Sequence, residues 1–418
     1  MVPSSASRSA RSAKGGEVMA EVSEIPLHMR RAQFDPIEEL AQVRDSAGIA
    51  AVVTPFGVPA HLVSRYDDVR EVLSDSARFS TADRRALTPP DAAGLTEEQY
   101  ARARVGNLLS YDPPDHTRLR RMLTPEFTVR RMRALEPRIV EIVESALDDV
   151  ERAGKPADLV STFALPVPSL VICELLGVPY ADRAAFQRRT VDQLDASHPP
   201  ERRLALQQAS REYMATLVAR ARRDPGEDIL GMLVREHGDD VSAEELVGIA
   251  SLLLLAGHET TANMLGLGTL ALLRHPDQLA MVRDDPARVE PAVEELLRWL
   301  SIVHSGIPRT ATTEVTIAGN TIAAGEHIVL ALPGANRDPA LVDDPDRLDI
   351  TREPTGHVAF GHGLHHCLGA PLARLELRIA YPALLRRFPG LALAVPYEQI
   401  AFRPYSVIHG LQALPITW

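Results

Sequence analysis

Cysteine is nearly absent from this 418-residue chain, which carries only Cys173 and Cys367. Two thiols cannot build a disulfide framework, and their scarcity fits a reducing compartment. Positive charge is in deficit: the formal net charge is −11 at pH 7. That argues against a general nucleic-acid binder and for a well-solvated chain. No run reaches the roughly 18 uninterrupted apolar residues that a membrane span needs. The most apolar stretch, Leu246 to Gly257, is shorter and reads as a core helix. No charged segment followed by an apolar one opens the chain, so no secretory signal is expected. Internal repeats and a clean interdomain linker are missing as well.

The composition, 45% hydrophobic and 24% charged, supplies a large core. Length alone suggests two or three domains, but without a linker the expectation is one domain over residues 23–418. Residues 1–22 are rich in Ser, Ala, Arg and Gly, lack a hydrophobic period, and are expected to form a disordered tail. Met19 is an alternative start, and a transit-peptide-like origin remains open. Residues 50–54 and 60–64 flank the turn-forming Pro55-Phe56-Gly57 and predict a hairpin. Helices are expected over 66–73, 115–124, 129–153, 168–176 and 182–223, the last broken near Ser197-His198-Pro199-Pro200. Strands are expected over 314–322 and 327–332. Residues 80–110 are polar and weakly periodic, a long loop of the kind that is usually functional or mobile.

The densest chemistry lies in Phe360-Gly361-His362-Gly363-Leu364-His365-His366-Cys367-Leu368-Gly369-Ala370-Pro371. Leu368, Leu372, Leu375 and Ile379 then recur at helical spacing, with Pro371 in the first turn. Cys367 thus sits at the mouth of a helix, whose free N–H groups and dipole stabilise a thiolate and lower the thiol pKa. Gly361, Gly363 and Gly369 permit tight turns and close approach to a flat ligand. Three readings compete here: a buried structural cysteine, a zinc site using His357, His362, His365, His366 and Cys367, and a haem iron held by one thiolate. Zinc sites favour recurring Cys-x-x-Cys or His-x-x-x-His spacings, and only a single Cys is present here. Single-thiolate ligation is a known haem mode.

A second segment opens at Ser242, where Ser242 and Glu245 form a capping-box pattern, and runs to His275-Pro276. About 30 residues at roughly 1.5 Å each cross a whole domain. Leu252 to Gly257 is apolar on every side and is expected to be buried. His258, Glu259, Thr260 and Thr261 follow. A carboxylate in such a place is costly unless paired or used. The plain alternative is that Glu259 reaches the surface and Thr260 bonds the preceding turn.

The pattern Phe-Gly-x-Gly-x-His-x-Cys-x-Gly at 360–369 resembles the haem-binding loop of the cytochrome P-450 family, position for position. Ala-Gly-x-Glu-Thr-Thr at 256–261 resembles that family's oxygen-activation segment. The resemblance runs from about residue 35 to the end. It implies a mainly α fold of about a dozen helices with small β-sheets. Haem b would lie between the long central helix and the Cys-loop helix, with Cys367 as its iron ligand. Phe360, Gly361 and Gly369 would shape the loop, and Ala256 and Gly257 would bring the central helix close over the haem and leave room for O2. Thr260 would hydrogen-bond the activated oxygen, and Glu259 would feed it protons through water. His116, Arg120, Arg309 and His365 match positions that clamp the propionates, although each alone reads as a solvated residue. Glu295 and Arg298, at i and i+3, would be a structural pair under the haem, with Arg347 as third partner. Val342 and Leu348 stand where aromatic residues are common.

The implied activity is a monooxygenase that hydroxylates or epoxidises a bulky apolar substrate, such as a polyketide, macrolide or terpenoid. Its electrons would come from a ferredoxin and its reductase, in a monomeric, cytoplasmic protein that binds neither membrane nor nucleic acid. Ala-Gly-His-Glu-Thr-Thr-Ala-Asn, Val-Glu-Glu-Leu-Leu-Arg and Ala-Asn-Arg-Asp-Pro resemble an actinobacterial, secondary-metabolite type. Substrate contacts are expected from the 80–110 loop, residues near 190–200, Leu252–Thr260, Ile302–Ile307 and Val407-Ile408. Arg118, Arg121, Arg130, Arg131 and Arg133 form a basic run, either plain solvated helix faces or a docking surface for an acidic iron–sulfur donor. A haem sensor or carrier, a haem-thiolate isomerase or peroxide-driven enzyme, and a zinc protein are the alternatives.

Overall fold

Ser242 caps the longest helix, Ala243–Arg274, whose 32 residues span about 48 Å. The Ser242 hydroxyl accepts from the Glu245 N–H at 3.1 Å, and the Glu245 carboxylate accepts from the Ser242 N–H at 2.8 Å. Arg118, on helix Asp115–Leu123, also pairs with Glu245 and so ties that helix to the start of the central one. Pro276 begins the next helix and ends this one, as expected. The structure is a computed structural model that describes residues 25–54, 57–82, 96–186, 188, 200–403 and 406–418.

Around the central helix pack Pro200–Arg223, Pro166–Leu175 and the Cys-loop helix Ala370–Arg387. The Tyr381 hydroxyl donates to the Met264 carbonyl at 2.5 Å and joins the Cys-loop helix to the central one. Val129–Ala153 lies along the other side of the Cys-loop helix. It buries Ile139, Ile142, Val143, Ala146, Leu147 and Val150, the spacing of one helical face. The side chains of these elements form one continuous apolar core. The Cys-loop helix is packed from several directions, so its burial is broader than one stripe. Leu372 is buried as expected, whereas Leu375 and Ile379 are only half-buried and Leu377, Ala380 and Leu384 are the deepest.

A five-stranded sheet completes the architecture, in the order Ile49–Val53, Pro59–Val63, His327–Leu330, Ile307–Ala311, Phe79–Ser80. The expected hairpin is there, with Ile49 opposite Val63 and Val53 opposite Pro59. His327–Leu330 runs parallel to Pro59–Val63 and antiparallel to Ile307–Ala311. Its partner strand thereby places Arg309 opposite Ile328.

Some expectations need correction. The 80–110 stretch is not all loop: helix Glu97–Arg104 and a short turn at Leu108–Ser110 lie within it, while residues 83–95 fall outside the description. The sequence of that helix is too polar for an apolar period to reveal it. The strand expected over 314–322 is a hairpin of Val315–Ile317 and Asn320–Ile322, turning on Ala318 and Gly319 at positive φ. The second half of the 182–223 segment begins at Pro200, and the tail over 1–22 and the expected break at 197–199 lie outside the described residues.

The pair Glu295–Arg298 is buried, with the Arg298 Nε donating to Glu295 Oε2 at 2.7 Å and Nη2 to Oε1 at 2.8 Å. Arg298 Nη1 donates to the carbonyls of Asn336 and Pro345, both at 2.8 Å. Arg347 is not the third ion partner. Its guanidinium is exposed and pairs with Asp344 and Asp349, and only its backbone carbonyl reaches Arg298. The second cation on Glu295 is Arg352, 3.3 Å from Oε1.

Candidate haem-thiolate site

The Cys-loop is folded by its own backbone. The Cys367 N–H donates to the Phe360 carbonyl at 2.9 Å, and the His366 N–H to that of Gly363 at 3.0 Å. Gly361 and Gly363 take φ of +70° and +67°, where a side chain is strained. A Cβ on Gly363 would also lie 2.5 Å from the Leu73 carbonyl oxygen. The ring of Phe360 lies under the Arg374 guanidinium, at 4.6 Å. Arg374 grips Glu294 with two bonds of 2.7 and 2.8 Å, and His357 reaches the same carboxylate at 3.2 Å. Burial alone would raise the pKa of Glu294, but the Arg374 and His357 bonds hold it at about 2. This clamp escaped the sequence reading, because Glu294, His357 and Arg374 are far apart in the chain.

Cys367 is exposed by surface area, yet burial is the largest influence on its thiol. Both hold if the sulfur faces an internal opening rather than bulk water. The expected N–H groups are present, those of Gly369 and Ala370, and with the charges of Arg120 and Arg374 they lower the thiol pKa. Burial nonetheless outweighs them, so the free thiol is raised, not lowered as the helix mouth alone predicts. Gly369 faces open space, with nothing within 4 Å of a Cβ built there.

Beside the thiol lies a cluster of cations. Arg120 is close enough for the two to influence each other's ionisation. One turn earlier on its helix, His116 is 1% exposed, and its ring centroid is 4.1 Å from that of His365. Neither ring nitrogen of His116 has a hydrogen-bond partner, an unusual state for a buried imidazole. Burial, then Arg120, lowers its pKa, with Asp112 opposing. Arg309 is buried on its strand and donates to the Pro308 carbonyl at 2.7 Å and the Thr81 hydroxyl at 3.5 Å. The Thr81 N–H in turn bonds Asp112, whose own carbonyl accepts from the His116 N–H. His116 and Arg120 on one helix therefore meet His365 of the Cys-loop, and Arg309 is linked to them through Thr81 and Asp112.

On the central helix the expected burial of 252–257 is interrupted. Leu255 is 46% exposed and Ala256 is exposed too, whereas Ile249 and Ala250 before them and Leu265 after them are fully buried. A helix covered at both ends and bare in the middle borders an opening. Gly257 faces elsewhere. A Cβ on it would lie 2.5 Å from Ile172 Cδ1, so its smallness serves packing against helix Pro166–Leu175 and not space for O2. The Thr260 hydroxyl donates to the Ala256 carbonyl at 2.6 Å. Glu259 does not reach the surface; its Oε1 is 3.2 Å from Arg403 Nη1. Burial raises the pKa of Glu259, against the pull of Arg403.

No cluster of three or more His, Cys, Asp or Glu side chains suited to a metal occurs among the described residues, which removes the zinc reading of the Cys-loop. What remains fits a flat, dianionic porphyrin: an open thiol, adjoining cations, two unpartnered imidazole nitrogens and a glycine facing free space. Fold and donor set define a haem-thiolate protein.

The comparisons with known proteins agree. The family description "Cytochrome P450" matches residues 203–392. Cytochrome P450 FAS1 of Rhodococcoides fascians is 54% identical over 96% of this chain and 100% of its own. Cytochrome P450 165B3 of Amycolatopsis orientalis is 47% identical over 96% of this chain and 100% of its own. The solved structure of P450 StaH, from glycopeptide antibiotic A47934 biosynthesis, superposes with a TM-score of 0.86 at 48% identity, covering 94% of this chain and 100% of StaH. The chain belongs to the cytochrome P450 family. It is a haem-thiolate monooxygenase of the bacterial, secondary-metabolism type. No helix among the described residues is long and apolar enough to cross a membrane.

Proposed function

We propose that Cys367 supplies the thiolate ligand, and that His116, Arg120, Arg309 and His365 bind the haem propionates. The observation that carries this reading is the buried His116, with two unpartnered nitrogens beside the neighbours of an open Cys367 thiol. Such nitrogens cost free energy unless a ligand satisfies them. Phe360, Gly361 and Gly369 hold the loop in the shape that presents the sulfur. Bound haem supplies the activation of O2 and the insertion of one oxygen atom. Thr260 holds a hydroxyl proton at the bare stretch of the central helix, and Ala256 leaves space beside it. Glu259, raised by burial, keeps a carboxyl proton available closer to neutral pH than an ordinary glutamate would.

The substrate is a bulky apolar small molecule, because the surface at Leu255 and Ala256 is uncharged and uncovered. A multi-ring natural product is consistent with the biosynthetic setting of StaH. Electrons come from a ferredoxin. Arg121, Arg130 and Arg133 are exposed and free to steer an acidic partner, whereas Arg118 and Arg131 are engaged by Glu245 and Glu126.

The first test is the absorption spectrum of the dithionite-reduced protein under carbon monoxide. A red-shifted Soret band of the type that names the family, lost in Cys367→His, supports the ligand assignment. A carbonyl spectrum of the histidine-ligated kind in the unmodified protein overturns it. Thr260→Ala then separates a monooxygenase, which leaks peroxide and loses product, from a carrier that is indifferent. Spin-state shifts across polyketides and terpenoids identify the substrate class.

A further inference from the structure

The cation that compensates Glu259 does not come from its own helix. Arg403 lies 144 residues later, in the stretch where Phe402 bridges Leu411. Its base is fixed independently of Glu259. The Arg403 N–H donates to the Gly410 carbonyl at 2.9 Å, and Nε donates to the Leu411 carbonyl at 3.2 Å. The same stretch meets the central helix again one turn further on. A Cβ on Gly410 would lie 1.8 Å from Asn263 Oδ1, so only glycine fits, and Asn263 Nδ2 donates to the Glu259 carbonyl at 2.8 Å. Arg403 thus holds position 259, and Gly410 lies hard against position 263. Ile408, between them, bridges Val303, and the His409 N–H donates to the Ile302 carbonyl at 2.8 Å. Those contacts lie on the segments expected to face substrate.

We infer that Arg403 is a positioning residue for the Glu259 carboxyl, holding it in the wall of the site and tying it to the 302–303 and 408 segments. The inference rests on the reading of Glu259 as a proton source. Arg403 touches neither haem nor substrate in this role and acts only through Glu259. It sets where the carboxyl points and stabilises its ionised form, so that the proton is released as well as held. The adjoining titratable group is His258 on the same helix, which burial keeps neutral, at about 4; Arg403 is the charge that acts on Glu259.

The test uses the haem-loaded full-length protein with Arg403→Gln, Arg403→Lys, Glu259→Gln and the double variant Glu259→Gln/Arg403→Gln. The first readout needs no turnover: the infrared C=O band of protonated Glu259, assigned by its loss in Glu259→Gln, is followed against pH. Arg403→Gln is expected to raise its midpoint by about one unit or more, and Arg403→Lys to restore most of that shift. The second readout is the ratio of product to peroxide per electron pair, with the solvent isotope effect. Arg403→Gln is expected to lower the ratio several-fold, to leave the carbonyl spectrum unchanged, and to add nothing in the Glu259→Gln background. An unmoved midpoint and ratio in Arg403→Gln, alongside a changed ratio in Glu259→Gln, overturn the positioning role alone. An unchanged ratio and isotope effect in Glu259→Gln overturn the proton-source reading, and the inference with it.

Discussion

Gly257 on the central helix stands against Ile172, with room for no more than a hydrogen: a Cβ would come within 2.5 Å of the isoleucine Cδ1. The contact joins the site-bearing helix to Pro166–Leu175. Gly257→Ala should destabilise the fold by about 1–3 kcal/mol through overpacking, despite the better helix propensity of alanine. The obstructing atom is the end of a flexible side chain, so Gly257→Ala/Ile172→Val should recover most of the loss. Denaturant unfolding of the single and double variants checks this; equal losses in both would show that the clash is not with Ile172.

Removing Arg298 takes both of its bonds from the buried Glu295, leaving Arg352 as the remaining cation, and should cost about 3 kcal/mol or more. Arg347→Ala should stay within about 0.5 kcal/mol, since its guanidinium is exposed in both of its pairs. Arg352→Ala should fall between them, because Arg352 is largely covered and lies on Glu295. Unfolding midpoints of the three variants test the order, and a loss at Arg347 exceeding that at Arg352 would reverse the assignment.

Acid should destabilise this protein over two overlapping pH ranges. His28, His258, His304 and His409 are all buried, and burial is the main reason their pKa values fall to about 4, 4, 3 and 2 from 6.5. As pH drops below 6.5 the unfolded chain takes up protons that the folded one refuses. Stability is therefore full above pH 6.5 and declines below it, by up to about 1.4 kcal/mol per unit for each histidine. Glu294, held at about 2 against 4.5 when unfolded, adds its own loss as pH falls below 4.5 toward 2. Unfolding free energies from pH 8 to 4 measure the loss over the upper range; His409→Gln should lessen it.

His116→Ala and Arg120→Ala should weaken haem retention more than folding. Each removes one proposed propionate bond of the charge-assisted kind, about 1.5–3 kcal/mol, or roughly 10–100-fold in affinity. Haem transfer to apomyoglobin reads the loss directly. Stability of the haem-free protein should change far less, since the His116 nitrogens bond nothing within the protein itself.

Much of the site was legible because its pieces are local. The capping box at Ser242, the stop at Pro276, the turn glycines before Cys367 and the helix after it are decided by residues within a few positions of one another. The central helix and the Cys-loop therefore appear where the chain places them. Helix Glu97–Arg104 was hidden for the same reason in reverse, as its polar sequence carries no local sign of burial. Partners were legible only when they were neighbours. Glu295 and Arg298 lie one turn apart, and their pairing could be read.

By itself, then, the sequence determined where the groups of the proposed site sit: a thiol at the mouth of a helix, a hydroxyl and a carboxyl on the central helix, and the cations on their own helix, strand and loop. Tertiary structure alone decided what each of them meets. It turned Gly257 toward Ile172 instead of the open face, gave Glu295 to Arg352 instead of Arg347, and set Arg403 against Glu259. It also left the free Cys367 thiol raised by burial despite its helix mouth. The physical reason is that capping and periodicity act over a few residues, whereas ion pairing and desolvation depend on what long-range packing brings within a few ångströms.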